Sequence, residues 1–295
     1  MSIFVGSGVA LVTPFDENNQ VNYKRLGELL EYHVANKTDA IIISGTTGEA
    51  STMTESERLN VIKFTVDKIA KRIPVIAGTG SNSTEIAVEF SKKVEVLGVD
   101  GLLVVTPYYN KGNERGIYGH YKEIAESVNI PIILYNVPGR TGVNLSVSLI
   151  KELAKFENIV AIKEASGNIS YAAEIARQVP ELDIYSGNDD MTVPLLSLGA
   201  KGVISVSANI IPEVIHNMVM SFLNGDSKEA CRLQLGYNEL SNGMFIETNP
   251  VPVKEAMNYL GYEVGECRLP LGEMYPENIE KLHLIIDRHE VKKWK

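Results

Sequence analysis

The segment NIVAIKEASGN, residues 158–168, contains four consecutive apolar residues followed by a lysine. Three of the four are β-branched, which predicts a short buried strand, and Gly167 with Asn168 predicts the turn that follows it. Lys163 therefore stands where the chain should still be inside the protein, and burying its charge costs free energy. Either Lys163 ends the strand and extends to water, or it is a neutral amine that serves as a nucleophile.

Seven other apolar runs resemble this strand, and helical patterns alternate with them. They are Ser7–Thr13, Ala40–Ile43, Pro74–Gly78, Gly101–Val105, Pro131–Asn136, Leu182–Gly187 and Gly202–Val206. Because apolar runs without polar alternation indicate a parallel sheet covered on both faces, we expect an α/β protein. Eight strand–helix units favour a (β/α)8 TIM barrel over an open doubly wound sheet, and no GxGxxG motif follows the first strand.

Helix signals fill the gaps between the strands and continue beyond the last one. Asn22 and Ser83 are predicted N-caps, and Thr54–Glu57 has the pattern of a capping box. After Pro212 no strand is predicted, and helices are expected at Glu213–Leu223, Ser227–Gly243, Pro252–Leu260 and Pro276–His289. We therefore divide the chain into a catalytic barrel, residues 1–224, and a C-terminal helical domain, residues 225–295.

Composition and net charge indicate which partners and which compartment to expect. The 295 residues carry a formal charge of −9, from 28 basic and 37 acidic side chains, and no basic run is present. Nucleic acid is therefore not expected as a partner. The two cysteines, Cys231 and Cys267, have no neighbours at metal-ligand spacing and are expected to be free thiols. The N-terminus has neither a basic region nor a long apolar run, so we expect a cytoplasmic protein without membrane segments.

In a barrel of this kind the active site lies at the carboxyl ends of the strands. The residues expected there are Thr46, Thr47, Tyr108, Tyr109, Tyr135, Arg140, Lys163, Gly187 and Ile204. They include no histidine, cysteine or carboxylate pair, which argues against a metal site, a Ser/His/Asp triad and glycosidase chemistry. One lysine among hydroxyl groups instead favours imine chemistry, in which the amine attacks a ketone and a phenol moves protons.

The same set of residues predicts acidic substrates. Backbone N–H groups of the turn at residues 45–48 can hold a small carboxylate, because such turns form anion-binding concavities. Arg140 can bind a second carboxylate with two parallel hydrogen bonds. A threonine between two phenols can relay protons. Two small keto or aldehyde acids are therefore the predicted substrates.

Each of these features also has a purely structural interpretation. Thr46 and Thr47 are residues that commonly satisfy the backbone of a turn. Tyr108 and Tyr109 fit packing or interface aromatics equally well, and a tyrosine at a strand end is more often a core residue than a catalyst. Arg140 is equally consistent with a solvent-exposed loop residue that binds no ligand.

Three motifs together resemble a known family. GTTGE (residues 45–49), YNVPGRT (135–141) and IKE (162–164) are similar to the signatures of the dihydrodipicolinate synthases. These enzymes belong to the pyruvate-dependent class I aldolases, a group that includes N-acetylneuraminate lyase. The likeness runs from Gly8 through the C-terminal helices, including GVISV (202–206) and NPVPVK (249–254). Within this resemblance, Arg140 is the residue that points to the synthases. They carry an arginine at this position for the semialdehyde carboxylate, whereas the lyase branch has a different sequence in this loop.

The resemblance implies a role for each candidate residue. Lys163 would form the imine with pyruvate, and Tyr135 would be the proton donor and acceptor. Thr47 would link Tyr135 to Tyr109 of the partner subunit in a relay. The pyruvate carboxylate would bind Thr46 and Thr47, in a pocket lined by Gly187 and Ile204.

The resemblance also implies a reaction and an assembly. Pyruvate would condense with L-aspartate 4-semialdehyde to give 4-hydroxy-tetrahydrodipicolinate, on the diaminopimelate route to lysine. No metal or organic cofactor is expected. The assembly would be a homotetramer built from two dimers.

One region departs from the members of the family that lysine inhibits. Those members bind lysine in a cleft at the dimer interface, through polar residues after the GTTGE turn and on the helix after strand three. Asn82 and Tyr108 fit that pattern, whereas Ala50, Glu55, Arg58 and Ile86 depart from it. Ile86 stands where a glutamate would bind the lysine amine, and an isoleucine cannot pair with an ammonium ion. Weak or absent feedback inhibition by lysine is therefore predicted.

Two other functions remain open at this point. The first is another pyruvate-dependent aldolase acting on a sialic or sugar acid, which would use the same Lys163 and Tyr135. The second is a small-molecule binding protein on the same barrel, without catalysis.

Overall fold

The computed structural model describes residues 2–294, in which eight parallel strands are hydrogen-bonded in chain order into a closed barrel. The strands are β1 (Gly6–Ala10), β2 (Ala40–Ile43), β3 (Val75–Gly78), β4 (Gly101–Val105), β5 (Ile132–Asn136), β6 (Ile159–Glu164), β7 (Asp183–Ser186) and β8 (Gly202–Ser205). Pairing of β1 with β8 closes the ring. The predicted (β/α)8 barrel is confirmed.

The first strand is shorter than predicted, because it ends at Ala10 rather than at Thr13. The Val12 N–H bonds the side-chain oxygen of Asn209 at 3.2 Å instead of a neighbouring strand. The Thr13 hydroxyl donates to the carbonyl of Gly48 at 2.7 Å. The chain thus leaves the barrel wall after β1 and contacts the turn that follows β2.

Helices cover the barrel and form the C-terminal extension. Within residues 2–294 they are α1 (Tyr23–Ala35), α2 (Glu55–Ile69), α3 (Thr84–Glu95), α4 (Glu114–Ser127), α5 (Pro138–Thr141), α6 (Val147–Leu153), α7 (Ile169–Gln178), α8 (Thr192–Leu196), α9 (Pro212–Leu223), α10 (Ser227–Gly236), α11 (Asn238–Gly243), α12 (Val251–Tyr259) and α13 (Pro276–Arg288). In that part of the chain no helix combines the length and the apolar character needed to cross a membrane.

The predicted helix starts are confirmed at all three positions. The Asn22 side chain accepts from the Arg25 N–H, the Ser83 side chain accepts from the Ile86 N–H, and residues 54–57 form the reciprocal capping box. Such caps satisfy backbone N–H groups that have no partner inside the helix.

Two details of the helices were not predicted. The expected helix Ser227–Gly243 is interrupted at Tyr237, next to Gly236, whose carbonyl lies 3.1 Å from the Nε2 of His289. Arg140 lies in the short helix α5 rather than in an irregular loop, since Pro138 is well suited to the first position of a helix. The proposed domain boundary falls in the connection between α9 and α10.

Apolar side chains form two cores. One lies between strands and helices, and the other fills the barrel interior with residues such as Ile42, Leu103 and Ile204. Phe4 precedes β1 and stacks on Tyr185 with ring centroids 4.3 Å apart, and the Tyr185 hydroxyl donates to the Phe4 carbonyl at 2.6 Å. The interior is therefore filled from the amino-terminal end, and space for a ligand remains at the carboxyl-terminal end.

A buried histidine links stability to pH. His33 is fully buried, its Nδ1 lies 2.9 Å from the Thr38 hydroxyl, and burial lowers its pKa to about 3. Below pH 6.5 the unfolded chain takes up a proton that the folded protein excludes, so stability falls as the pH falls. The loss is about 1.4 kcal/mol per pH unit, or about 2 kcal/mol between pH 6.5 and pH 5.

We expect His33→Asn to reduce the pH dependence of the free energy of unfolding by that amount, measured by urea unfolding between pH 7 and pH 5. Thr38→Val is the matched control, because it removes the same hydrogen bond but keeps the imidazole. It should lower stability without changing the slope. An unchanged slope in His33→Asn would show that His33 is not the titrating group.

Candidate active site

Lys163 and Tyr135 lie side by side on neighbouring strands. They are register partners in the β5–β6 pairing, and the Lys163 Nζ is 4.4 Å from the centre of the Tyr135 ring. Both residues are buried, and Lys163 is only 5% exposed. Within residues 2–294, the Lys163 amine takes part in no hydrogen bond or ion pair with another side chain or the backbone. The amine is thus held against an aromatic face and is available to a ligand.

Gly187, directly after β7, makes room for the lysine. A Cβ atom at this position would lie 2.5 Å from the Ala165 Cβ and 3.0 Å from the Lys163 Cε. The contact with Ala165 is too short for a real side chain, so a larger residue at position 187 would shift this part of the site and crowd the lysine.

A cavity of about 320 Å³ opens above Lys163 at the carboxyl-terminal end of the barrel. The predicted residues that line it are Thr46, Thr47, Tyr135, Arg140, Lys163 and Gly187. The structure therefore brings together in one cavity the lysine, the phenol, the threonine turn and the arginine that the sequence places on different strands or loops.

Three predicted residues lie elsewhere, of which Tyr108 lines a second, adjoining cavity. Ile204 is fully buried in the barrel interior and is not among the residues lining the cavity. Tyr109 is 88% exposed and adopts a left-handed backbone conformation, with φ +74°. Its phenol does not line the cavity of its own chain, so a role there requires another chain.

The turn that carries Thr46 and Thr47 is fixed by a residue from the C-terminal extension. The Asn249 side-chain amide donates to the Thr47 hydroxyl oxygen at 3.0 Å. The Asn249 carbonyl accepts from the Arg140 guanidinium at 2.9 Å. Asn249 thus connects the two elements that were predicted to hold carboxylates.

Buried polar groups hold the segment between β5 and α6, which carries Arg140 in helix α5. The Asn136 side-chain amide donates to the Glu164 carboxylate and to the Asn144 side chain, each at 2.8 Å, and its oxygen accepts from the Leu145 N–H. Burial raises the pKa of Glu164. Because Glu164 follows Lys163 directly, this network ties β5, β6 and this segment into one unit.

Several residues of the cavity were not predicted from the sequence. Asp189, Asp190 and Asn249 line it, and so do Ser241, Asn242 and Phe245. Asp189 is buried, and one of its oxygens accepts from the N–H groups of Val206 and Ser207 at 3.0 Å, which joins the loops after β7 and β8. The two aspartates follow β7 within three residues of Gly187, and this position just past a strand end is the sequence signal that places them at the site.

The arrangement is chemically suited to a carbonyl acid. A primary amine that faces a cavity without a hydrogen-bond partner can add to a ketone, and the adjacent phenol can exchange protons with the addition product. A turn of backbone N–H groups and an arginine at the rim can each receive a carboxylate.

Comparison with known proteins agrees with this chemistry. The family model described as the dihydrodipicolinate synthetase family matches residues 3–289. The chain belongs to this family. Membership confirms the resemblance stated above and identifies the protein as an enzyme, a lyase.

Individual members of the dihydrodipicolinate synthetase family are similar over almost the full chain. The 4-hydroxy-tetrahydrodipicolinate synthase of Brachyspira hyodysenteriae is 57% identical, covering 99% of this chain and 100% of the relative. The crystal structure of dihydrodipicolinate synthase from Aquifex aeolicus has a TM-score of 0.96 at 46% identity, covering 99% and 100% of the two chains. The chloride-inhibited enzyme from Acinetobacter baumannii, complexed with pyruvate, has a TM-score of 0.95 at 42% identity, covering 97% and 99%.

Proposed function

We propose that this family member condenses pyruvate with L-aspartate 4-semialdehyde to give 4-hydroxy-tetrahydrodipicolinate, in the diaminopimelate route to lysine. The observation that carries the proposal is the unpartnered Lys163 amine, 4.4 Å from the Tyr135 ring in a cavity that also contains Arg140. The pyruvate complex of a relative with a TM-score of 0.95 supports the identity of the first substrate.

The proposed reaction begins at the Lys163 amine. The amine adds to the keto carbon of pyruvate, water leaves, and an imine remains. Loss of a methyl proton gives an enamine, whose carbon attacks the aldehyde of the semialdehyde. The amino group of the semialdehyde then displaces Lys163 from the former keto carbon and closes the ring. One water is released overall and no oxidation or reduction occurs. The imine acts as the electron sink that a Lewis-acid metal would otherwise supply, so the scheme needs neither an organic cofactor nor a metal.

Each remaining group has a place in this scheme. Tyr135 transfers the protons of imine and enamine formation, since its ring lies 4.4 Å from the amine and it lines the same cavity. The turn with Thr46 and Thr47 holds the pyruvate carboxylate. Arg140, at the exposed rim of the cavity, binds the carboxylate of the semialdehyde.

A coupled assay of the purified enzyme tests this function. Pyruvate and L-aspartate 4-semialdehyde should yield a product that a 4-hydroxy-tetrahydrodipicolinate reductase reduces. The assay follows the oxidation of the reductase's nicotinamide cofactor. The same enzyme should not cleave N-acetylneuraminate. Cleavage of the sugar acid without condensation of the semialdehyde would assign the protein to the other branch of the pyruvate-dependent aldolases.

The proton relay extends, in our proposal, to Tyr109 of the partner subunit in a tetramer built from two dimers. A phenol that is 88% exposed and held in a left-handed conformation is suited to enter a neighbouring cavity. Tyr109→Phe should lower kcat by about 10²-fold, the lower end of the range for general acid–base groups, without changing the molar mass in sedimentation. Tyr275→Phe, at another exposed tyrosine, is the control. Unchanged kcat in an intact oligomer would contradict the relay.

Weak inhibition by lysine is also proposed, because the cleft beside the active site lacks a free carboxylate among the described residues that line it. A second cavity of about 270 Å³ adjoins the first and is lined by Ala50, Arg58 and Tyr108. The Arg58 guanidinium lies over the Phe90 ring, and although burial lowers its pKa to about 10, it remains charged at neutral pH. A fixed positive charge in this cavity repels the ammonium group of lysine.

The nearby acidic and apolar residues do not offset that charge. Glu55 forms an ion pair with Lys93, and Ile86 is 56% exposed. We expect about 1 mM lysine, a concentration near the weak end of specific binding, to leave the initial rate almost unchanged. Ile86→Glu should increase sensitivity to lysine, because it supplies a carboxylate. Strong inhibition of the unmodified enzyme at that concentration would refute the proposal.

A further inference from the structure

The turn at residues 44–49 has a strained backbone at both ends. Ser44 and Glu49 adopt left-handed conformations, with φ +55° and +56°. Residues other than glycine rarely adopt the left-handed backbone conformation. They keep it only where contacts with the surrounding structure hold them in it. Since Thr46 and Thr47 lie between these two residues, whatever holds the ends also sets the geometry of the turn.

At the first end, the anchor is Arg58 on α2. Its Nε donates to the Ser44 hydroxyl oxygen at 3.0 Å, and its terminal nitrogen donates to the Gly78 carbonyl at 2.8 Å. This anchor belongs to the barrel itself.

At the second end, the anchor is a buried ion pair with the C-terminal extension. The Lys254 Nζ on α12 lies 2.8 Å from one Glu49 carboxylate oxygen, and the other oxygen accepts from the Arg268 N–H at 2.9 Å. Lys254 also donates to the Glu266 carbonyl at 2.8 Å and lies over the Phe15 ring. Both charged side chains are almost completely buried.

A buried ion pair of this kind contributes little to the free energy of folding. Removing two charges from water costs about as much as their attraction returns, and an apolar pair of similar size is often at least as stable. What the pair does provide is a fixed position, because the two oxygens of Glu49 accept from different donors, the Lys254 amine and the Arg268 N–H. Asn249, on the same run as Lys254, adds a second contact at Thr47.

We propose that Glu49 and Lys254 are positioning residues, which hold the Ser44–Glu49 turn in the conformation that binds the pyruvate carboxylate. The C-terminal extension thereby acts on the active site at a residue 205 positions away in sequence. This proposal rests on the proposed function of the turn.

The test compares Lys254→Met, Glu49→Gln and the double variant. Lys254→Met leaves a buried carboxylate unpaired and should lower the melting temperature. The double variant removes both charges, while the amide oxygen introduced by Glu49→Gln can still accept from the Arg268 N–H, so the melting temperature should largely recover. In the double variant, we expect the KM for pyruvate to be about tenfold higher, because the turn can relax out of its strained conformation. The KM for aspartate semialdehyde should change little.

Lys71→Met is the matched control. Lys71 also donates to one carboxylate oxygen, of Asp100, and one carbonyl, of Gly98, both at 2.8 Å, but it lies at the amino-terminal end of the barrel. It should leave both KM values unchanged. A KM does not depend on the amount of folded enzyme, so it can be measured even for a destabilised variant. If the double variant is insoluble, Glu49→Gln alone should show a smaller increase in the pyruvate KM.

A pyruvate KM equal to that of the unmodified enzyme, in the double variant or in Glu49→Gln alone, would overturn the proposal and leave the pair a purely structural feature. Failure of the proposed function has a different signature. In that case the unmodified enzyme itself would form no pyruvate adduct on borohydride reduction.

Discussion

Lys163→Ala is expected to abolish the covalent trapping of pyruvate and to lower kcat/KM on the order of 10⁴-fold or more. The imine requires a primary amine at the point where the cavity meets the barrel interior, and Lys163 supplies it against the Tyr135 ring. Loss of a covalent nucleophile is among the largest effects that a single substitution has on an enzyme. Borohydride reduction in the presence of pyruvate, followed by mass spectrometry of the intact protein, measures the adduct directly.

Two further variants make the result specific. Lys163→Arg keeps a positive charge, but its guanidinium does not form an imine, so it should be as inactive as Lys163→Ala. Tyr135→Phe keeps the aromatic ring and should still form the adduct, but more slowly, because the proton donor is missing. An adduct of unchanged yield in Lys163→Ala would show that another lysine reacts, and the imine mechanism at Lys163 would be wrong.

The barrel was predictable because the information for it is local. Each strand is a short run of apolar residues, and the end of each run marks one face of the barrel, which is enough to bring Lys163, Tyr135 and Arg140 together. The same local patterns identified the caps at Asn22 and Ser83.

The parts that sequence patterns did not predict depend on contacts between distant segments. Asn249 reaches Thr47 across 202 positions, and Lys254 reaches Glu49 across 205. Both residues belong to the NPVPVK run that the family resemblance includes, but nothing local in that run predicts which residues their side chains contact. The break at Tyr237 likewise lies beside a contact with His289, which follows a different helix. Periodicity describes which face of an element is buried, but not what that face will meet.

Arg140→Ala is expected to lower kcat/KM for L-aspartate 4-semialdehyde by about 10²- to 10³-fold while leaving the trapping of pyruvate intact. A guanidinium can donate two parallel hydrogen bonds to a carboxylate, and each charge-assisted bond contributes about 1.5–3 kcal/mol. Because the imine forms before the semialdehyde binds in the proposed scheme, the loss should be confined to the second substrate. Initial rates at saturating pyruvate, with the semialdehyde varied, measure it.

Arg140→Lys is the informative control, because it preserves the charge but not the fork of donors, and it should recover only part of the loss. The alternative is that Arg140 acts through Asn249, whose carbonyl it bonds at 2.9 Å and whose amide holds Thr47. In that case the KM for pyruvate would rise as well, since the turn would move when its support is lost. An increase confined to pyruvate would contradict direct binding of the semialdehyde, whereas an increase confined to the semialdehyde would support the assignment of Arg140 as the residue that selects the second substrate.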